Sequence, residues 1–374
     1  MKVRMTILFL TAAALGLVLA APGSAWNSSS ERTRALEGVS EVAKDSFLAP
    51  VEQVFADVDA ETDSDETLDG TRSFSDGIDV LTERPARGRR ERHHRRHKLH
   101  RHHKERPRPG VPCGTSGAPP KTYEHVIWIV FENQDYGSVI GSSNAPYTNL
   151  IASECGLATN FFAETHPSLP NYIAMTSGST QGITDDEDPA SHPLSVPSIF
   201  SQLGSDWRSL EESMPSNCLR SNFGDYAVRH NPAAYYTNID CAAQDVPLQP
   251  TPDLSARFTF ITPNGCNDTH DCPVQTGDAW LSGFLPKIIE SRAYQDRETA
   301  VFITWDEDNG GSSNHIPTLV LSPFTRPGTQ AVPRYDHYSM LRTTEELLGT
   351  DEFLGEAATA ASMREDFNLL RSGR

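Results

Sequence analysis

The sequence predicts an α/β domain, arranged as three α/β/α layers around a mostly parallel central sheet and spanning residues 109–374. Three observations carry the prediction. Four short, continuously apolar runs of strand length recur along the chain. Segments with helical apolar spacing lie between them. Several runs end directly in clusters of Glu, Asp, Asn and Gly. Strands covered on both faces read as unbroken apolar runs, and their alternation with helices is the pattern of a parallel sheet.

The N-terminal part stands outside this pattern. Lys2 and Arg4 precede an apolar stretch from Thr6 to Ala21, and Gly23-Ser24-Ala25 supplies small residues where cleavage would occur. Residues 1–25 therefore read as a secretory signal peptide, too short and wrongly flanked for a membrane span. No Cys directly follows the apolar stretch, which argues against a lipoprotein. Residues 26–83 are polar and acidic; residues 84–108 are dominated by Arg, Lys and His, as in His93-His94-Arg95-Arg96-His97-Lys98. Neither part buries enough apolar surface to offset its ordering entropy. Residues 26–108 read as a disordered pro-region or linker. The basic part could bind an anionic surface or polyanion, or metals through its histidines, or mark a processing site. No specific nucleic-acid partner is predicted. The formal net charge of −18 bears on solubility and association, not on fold.

From Cys113 the composition turns globular. The strand candidates are His125–Phe131, Phe258–Ile261, Ala300–Trp305 and Pro317–Ser322. The helix candidates are Ser198–Leu203, Ala279–Ser291 and Ser339–Leu348, the last stopped by Gly349. Six cysteines in an exported chain favour disulfides. The short gap suggests Cys266 with Cys272. Cys218 with Cys241 would close a mid-chain loop and leave Cys113 with Cys155. No pair has the CxxC spacing of a structural zinc site.

Three strand candidates lead into polar clusters: Glu132-Asn133-Gln134-Asp135, Asp306-Glu307-Asp308-Asn309-Gly310-Gly311, and Thr262 to Asp271. Each alone reads as turn chemistry. In open α/β sheets, however, ligands bind at the carboxyl ends of strands, so the three could converge on one site. Hard oxygen donors of this kind suit a divalent cation. A fourth segment, Thr165-His166-Pro167-Ser168-Leu169-Pro170-Asn171-Tyr172, places Ser168 on a turn before a helix-like stretch. Ser168 could be a nucleophile in the field of a helix N-terminus, or only a helix cap.

The region from about Tyr123 to Gly349 resembles the bacterial phosphoesterase family of the alkaline-phosphatase-like superfamily, which contains acid phosphatases and phosphatidylcholine-type phospholipases C. Phe131-Glu132-Asn133 is similar to the family's opening metal motif, and Thr304-Trp305-Asp306-Glu307 to the acidic pair that closes the metal site. Thr165 to Tyr172 is similar to the nucleophile segment, and also to the Thr-Phe-Pro-Asn pattern of nucleotide pyrophosphatases with Ser168 at the nucleophile's place. Asp336-His337-Tyr338-Ser339-Met340-Leu341-Arg342-Thr343 is similar to the closing segment.

The resemblance implies a secreted, metal-dependent phosphoester hydrolase of the acid phosphatase type. Glu132, Asn133, Asp306 and Glu307 would hold a single divalent ion of undetermined identity. Ser168 would attack phosphorus and form a phosphoserine, and Asn171 would donate to a phosphoryl oxygen. His270 and His337 are the candidates for phosphate binding or leaving-group protonation. His166 and His230 are further substrate-binding candidates. Two-metal relatives place Asp and His where this chain has Glu, Asn and Glu, so a zinc pair is not expected; Asp268 and His270 are the residues near which a second ion would sit. The partner is a phosphate-ester substrate. The rival activities are phosphodiester or phospholipase C cleavage, and a non-catalytic phosphate-ester or polyanion binding role. A degenerate binding protein should have lost the nucleophile or an acidic ligand, yet both are present.

Overall fold

The computed structural model describes residues 112–311 and 313–369. The expected signal peptide and the segment 26–108 lie outside the described residues.

Nine strands form one sheet: β1 His125–Phe131, β2 Gly156–Phe162, β3 Trp207–Glu211, β4 Asp245–Pro247, β5 Phe258–Thr262, β6 Thr299–Trp305, β7 His315–Leu321, β8 Thr329–Ala331 and β9 Tyr335–Asp336. The helices are α1 Tyr136–Val139, α2 Pro146–Glu154, α3 Ser168–Ser177, α4 Ile199–Gln202, α5 Cys241–Gln244, α6 Val274–Ile289, α7 Arg292–Gln295 and α8 His337–Leu348. The strand order is β4-β3-β5-β1-β6-β7-β2-β8, with β9 also on β2. Only β7 runs against the others, since its pairings with β6 and β2 are the antiparallel ones. The architecture is thus mixed α/β with a large, mostly parallel sheet.

The four strand candidates are β1, β5, β6 and β7. The last is the antiparallel member of the mostly parallel sheet that was expected. Only a loop separates Trp305 from His315, and a parallel return needs a crossover of a dozen or more residues.

β1 is central, and Val126 to Phe131 are buried along its whole length. Alternate side chains point to opposite faces. Trp128 therefore faces α8, where its indole N–H donates to Thr344 Oγ1 at 3.0 Å. Phe131 faces the other layer and meets Trp280 of α6 edge-on. On the Trp128 face, α3 packs through Tyr172 against Phe260 of β5.

All ten residues of α3 are buried. Gly178 ends the helix at φ 74°, and a Cβ there would lie 2.2 Å from the Leu354 carbonyl oxygen. Only glycine permits that left-handed turn and that close approach. At α8, Asp336 caps the first turn by accepting from the Ser339 N–H, and Gly349 ends the helix at φ 65°.

The sulfur pairs are Cys113–Cys155, Cys218–Cys241 and Cys266–Cys272, matching the pairing read from spacing.

Candidate active site

β1 and β6 pair in register from His125 opposite Thr299 to Phe131 opposite Trp305. The two rings at the end of that ladder stack at 4.9 Å. The next residues, Glu132 and Asp306, therefore leave the sheet side by side, and the Asp306 N–H donates to the Phe131 carbonyl at 2.9 Å. β5, on the other side of β1, leads into the segment holding Asp268, whose carbonyl accepts from the Glu132 N–H at 2.8 Å. The three polar clusters converge as strand-end geometry predicts.

Ser168 is the first residue of α3, on the same face as Glu132. Its hydroxyl donates to Glu132 Oε2 at 3.0 Å, with Glu307 Oε1 at 3.4 Å. The other Glu132 oxygen accepts from the Tyr172 hydroxyl at 2.6 Å. Tyr172 lies one helical turn past Ser168 and stacks on His230 with ring planes 9° apart. His230 reaches Asp268 Oδ2 through Nδ1 at 3.0 Å, and its Nε2 stands 3.3 Å from Glu132 Oε1.

Four carboxylates, Glu132, Asp268, Asp306 and Glu307, are buried here. Burial pushes the Asp268 and Asp306 carboxyls up to about 7. Burial, with Asp306 and Asp186 nearby, pushes Glu307 up to about 9. Glu132 is raised well above its ordinary value by burial and then by Asp306 and Asp268. Burial also holds His230 well below the ordinary histidine value, so it adds no positive charge. The pocket thus crowds four carboxyl groups that oppose one another's ionisation, and among the described residues no Arg or Lys forms an ion pair with them. Among the described residues Asp306 Oδ2 has no hydrogen-bond partner, and His230 Nε2 has only the 3.3 Å approach to Glu132. Hard oxygen donors with an unpartnered buried carboxylate oxygen fit a divalent cation. One ligand atom each from Glu132, His230 and His270 also lies within 4.8 Å of the others. The similar grouping of Cys218, Cys241 and Asp245 cannot bind through sulfur, because its cysteines are bonded to each other.

The remaining sequence-predicted residues take distinct places. Asn133 sits at φ 55° and offers its backbone N–H to Asp306 Oδ1 at 3.1 Å. Asn171 is buried, and its amide nitrogen is spread over the Thr165 and Pro167 carbonyls and Glu307 Oε2. Its oxygen accepts from the Glu164 and Thr165 N–H groups. The amide expected to face a phosphoryl oxygen thus also wraps the 164–167 loop and holds Glu307. His166 bridges Glu307 Oε2 at 2.8 Å and Asp308 Oδ1 at 3.3 Å from a side chain 38% exposed. His270 stands at the rim between Arg229 and Asp271. His337 is not brought into the cluster: it is fully buried, its Nε2 faces the Trp305 carbonyl at 3.2 Å, and burial holds it at about 4.

Sequence reasoning missed Tyr172 and Asp186 as site residues. The i, i+4 spacing from Ser168 could have found Tyr172. Asp186 accepts from the Leu169 N–H at 2.9 Å, and nothing in its local sequence signals that contact. Thr269 holds φ 80°, unusual for a β-branched residue, while its hydroxyl donates to the Glu132 carbonyl at 2.7 Å. Strained backbone of this kind clusters at functional sites.

The chain is similar in sequence to several known proteins. The sequence profile of the Phosphoesterase family matches residues 139–350, a span that includes Ser168, Asn171, His230, Asp306 and Glu307. The phosphatidylinositol-3-phosphatase of Mycobacterium tuberculosis is 32% identical over 237 residues, covering 61% of this chain and 78% of the relative. A probable acid phosphatase of Kluyveromyces lactis is 30% identical over 251 residues, covering 60% of this chain and 58% of the relative. An acid phosphatase of Aspergillus fumigatus is 30% identical over 242 residues, covering 58% of this chain and 52% of the relative. The chain thus spans little more than half the length of these fungal relatives. Among solved structures, a protein in the alkaline phosphatase superfamily from Vibrio parahaemolyticus overlays with a TM-score of 0.47 at 15% identity, over 69% of this chain and 74% of that one.

Proposed function

The chain belongs to the Phosphoesterase family, and from that premise we propose that it is an exported, metal-dependent phosphate monoester hydrolase of the acid phosphatase type, with Ser168 as nucleophile. The phosphatase activities for which the mycobacterial and fungal relatives are named support the monoester substrate. Three disulfides and the signal-like N-terminus support export.

One observation carries the reading. A serine hydroxyl at the start of a ten-residue helix lies against Glu132 and Glu307, inside a buried carboxylate cluster with one unpartnered oxygen. Glu132, Asp306 and Glu307, with Asn133 beside them, would hold the divalent ion, which when bound supplies charge neutralisation and lowers the pKa of the serine hydroxyl.

The residues then divide the work. Tyr172 and Ser168 fix the two oxygens of Glu132. Asn171 fixes Glu307 and the loop before the nucleophile. Ser168 Oγ gives its proton to a facing carboxylate and attacks phosphorus in line. The Oγ–P bond forms as the ester P–O bond breaks, leaving a phosphoserine. The departing alcohol takes one proton, which we assign to His166 on the open side of the site. The N-terminus of α3 favours the added negative charge. Water gives one proton to His166 as it attacks the phosphoserine; the Oγ–P bond breaks, inorganic phosphate leaves, and the carboxyl returns its proton to Ser168 Oγ. His337 lies behind the Trp305 backbone and has no direct part in this scheme.

The test is turnover of p-nitrophenyl phosphate and bis-p-nitrophenyl phosphate by the full chain, with and without chelator, in wild type and Ser168→Ala. Chelator-sensitive monoester turnover, lost in Ser168→Ala by at least about a thousandfold, is the expected result. Turnover that survives in Ser168→Ala rules out the nucleophile. Preference for the diester moves the activity to phosphodiester cleavage, and no turnover of either ester favours a binding role.

A further inference from the structure

Arg229 stands beside the proposed site without a role in the reaction above. It occupies the short turn Val228–His230, next to the histidine that reaches Glu132 and Asp268. One guanidinium N–H, on Nη2, donates to His270 Nε2 at 3.0 Å. Its Nε lies 3.9 Å from Asp186 Oδ2, beyond hydrogen-bond distance. A guanidinium carries five N–H donors in a fixed fork suited to phosphate oxygens. Among the described residues, that single hydrogen bond is the one it makes.

The fork lines a cavity of about 230 Å³ together with His230, His270, Gly224 and Gly265. That is below the size of a typical small-molecule pocket, and suits one compact group of a substrate whose remainder lies elsewhere. His270 accepts from Arg229 through Nε2, so its Nδ1 carries the hydrogen donated to Asp271 at 2.7 Å. The imidazole thereby props the guanidinium in place. Asp225 and Asp271 also line the cavity and are exposed. Among the described lining residues Arg229 is the one Arg or Lys beside Asp225 and Asp271, and its loss would leave these two, with its ion-pair partner Asp186, to repel an anion.

We propose that Arg229 forms an anion subsite that recognises a second phosphate on the alcohol part of the substrate, so that the enzyme favours monoesters whose leaving group itself carries a phosphate. The inference rests on the phosphate monoester hydrolase reading. The second phosphate could be another monoester or a diester, since both present the non-bridging oxygens a guanidinium pairs with.

The experiment compares wild type, Arg229→Ala and Arg229→Lys of the full chain on three substrates. p-Nitrophenyl phosphate has one phosphate. Fructose 1,6-bisphosphate has a second monoester. Short-chain phosphatidylinositol 3-phosphate has a diester on the same ring. Thermal melting of each variant reports folding. The expected result for Arg229→Ala is a KM raised at least about tenfold on one or both doubly phosphorylated substrates, with p-nitrophenyl phosphate changed less than about twofold. Which substrate responds identifies the second group. Arg229→Lys, which keeps charge but not the fork, should recover part of the loss. Equal losses on all three substrates, in a variant that melts like wild type, would show that Arg229 acts on the reacting phosphoryl group and overturn the subsite. Unchanged KM values would overturn it as well. A Arg229→Ala chain that fails to fold shifts the decision to Arg229→Lys, where a selective rise in KM supports the subsite and its absence refutes it. Wild type inert on every ester would refute the hydrolase reading itself and the subsite with it.

Discussion

Tyr172 shares Glu132 with the nucleophile, each hydroxyl taking one carboxylate oxygen. Tyr172→Phe should keep the stack on His230 and the fold while removing a hydrogen bond to a charged group. Such bonds contribute roughly 1.5–3 kcal/mol, so kcat/KM on p-nitrophenyl phosphate should fall about tenfold or more with little change in melting temperature. A tyrosine in an apolar helix reads as core, which is why its sequence environment hid this role. Ser168, Glu132, Asp306 and Glu307 were legible because polar residues interrupted apolar runs at chemically meaningful places. A second carboxyl pair lies away from the site. Glu211 is buried on β3, and Asp245 pairs opposite Ser209 in the β3–β4 register. Burial pushes Asp245 up to about 7, and burial with Asp245 nearby raises Glu211 well above its ordinary value. Folded-state values raised above unfolded ones mean that the native state holds extra protons. Their contribution is complete below about pH 4 and is lost as pH rises through about 7. Wild type should therefore melt lower at pH 8 than at pH 5. Glu211→Gln should narrow that difference in a calorimetric pH series.

At the scale of elements, β1, β5 and β6 were readable because both of their faces are covered. β2 was not: Thr159 and Asn160 interrupt it where the β2–β7 register shifts between Ala158 and Phe161. The direction of β7 was hidden for another reason, since apolar content says nothing of orientation and the loop before it decides. The loop carrying Asp268 and His270 is held from two sides. Cys266–Cys272 closes it, and Gly277 on α6 packs so closely that an added Cβ would lie 2.4 Å from Thr269 Cγ2. Gly277→Ala should displace this loop and lower kcat/KM more than it lowers stability, as parallel kinetics and melting would show. Chain-entropy arguments assign about 2 kcal/mol to the bridge separated by 6 residues and about 4 kcal/mol to the one separated by 42. Replacing Cys266 and Cys272 by Ala should thus affect turnover more than denaturation midpoint. Replacing Cys113 and Cys155 should do the reverse.

The whole chain carries a formal net charge of −18, and among the described residues Glu132, Asp268, Asp306 and Glu307 are buried at the carboxyl ends of the central strands. A divalent ion binding only the folded state stabilises it by about 2.7 kcal/mol at a hundredfold excess over Kd. Chelator should therefore lower the melting temperature, and Glu307→Gln should shrink that shift. Removing residues 84–108 should leave p-nitrophenyl phosphate turnover in place if that tract serves surface attachment; loss of turnover on truncation would tie it to catalysis. The register of β1 against β6 has a further consequence, visible in time and not in distance. The β1–β6 ladder that leads into Glu132 and Asp306 is buried along its length, so deuterium should reach its amides only when the whole domain opens. The Glu164 and Thr165 amides, held by one Asn171 side chain, should exchange much earlier. A substrate would then meet a yielding entrance in front of an unyielding floor, and exchange rates measured residue by residue would draw the boundary between them.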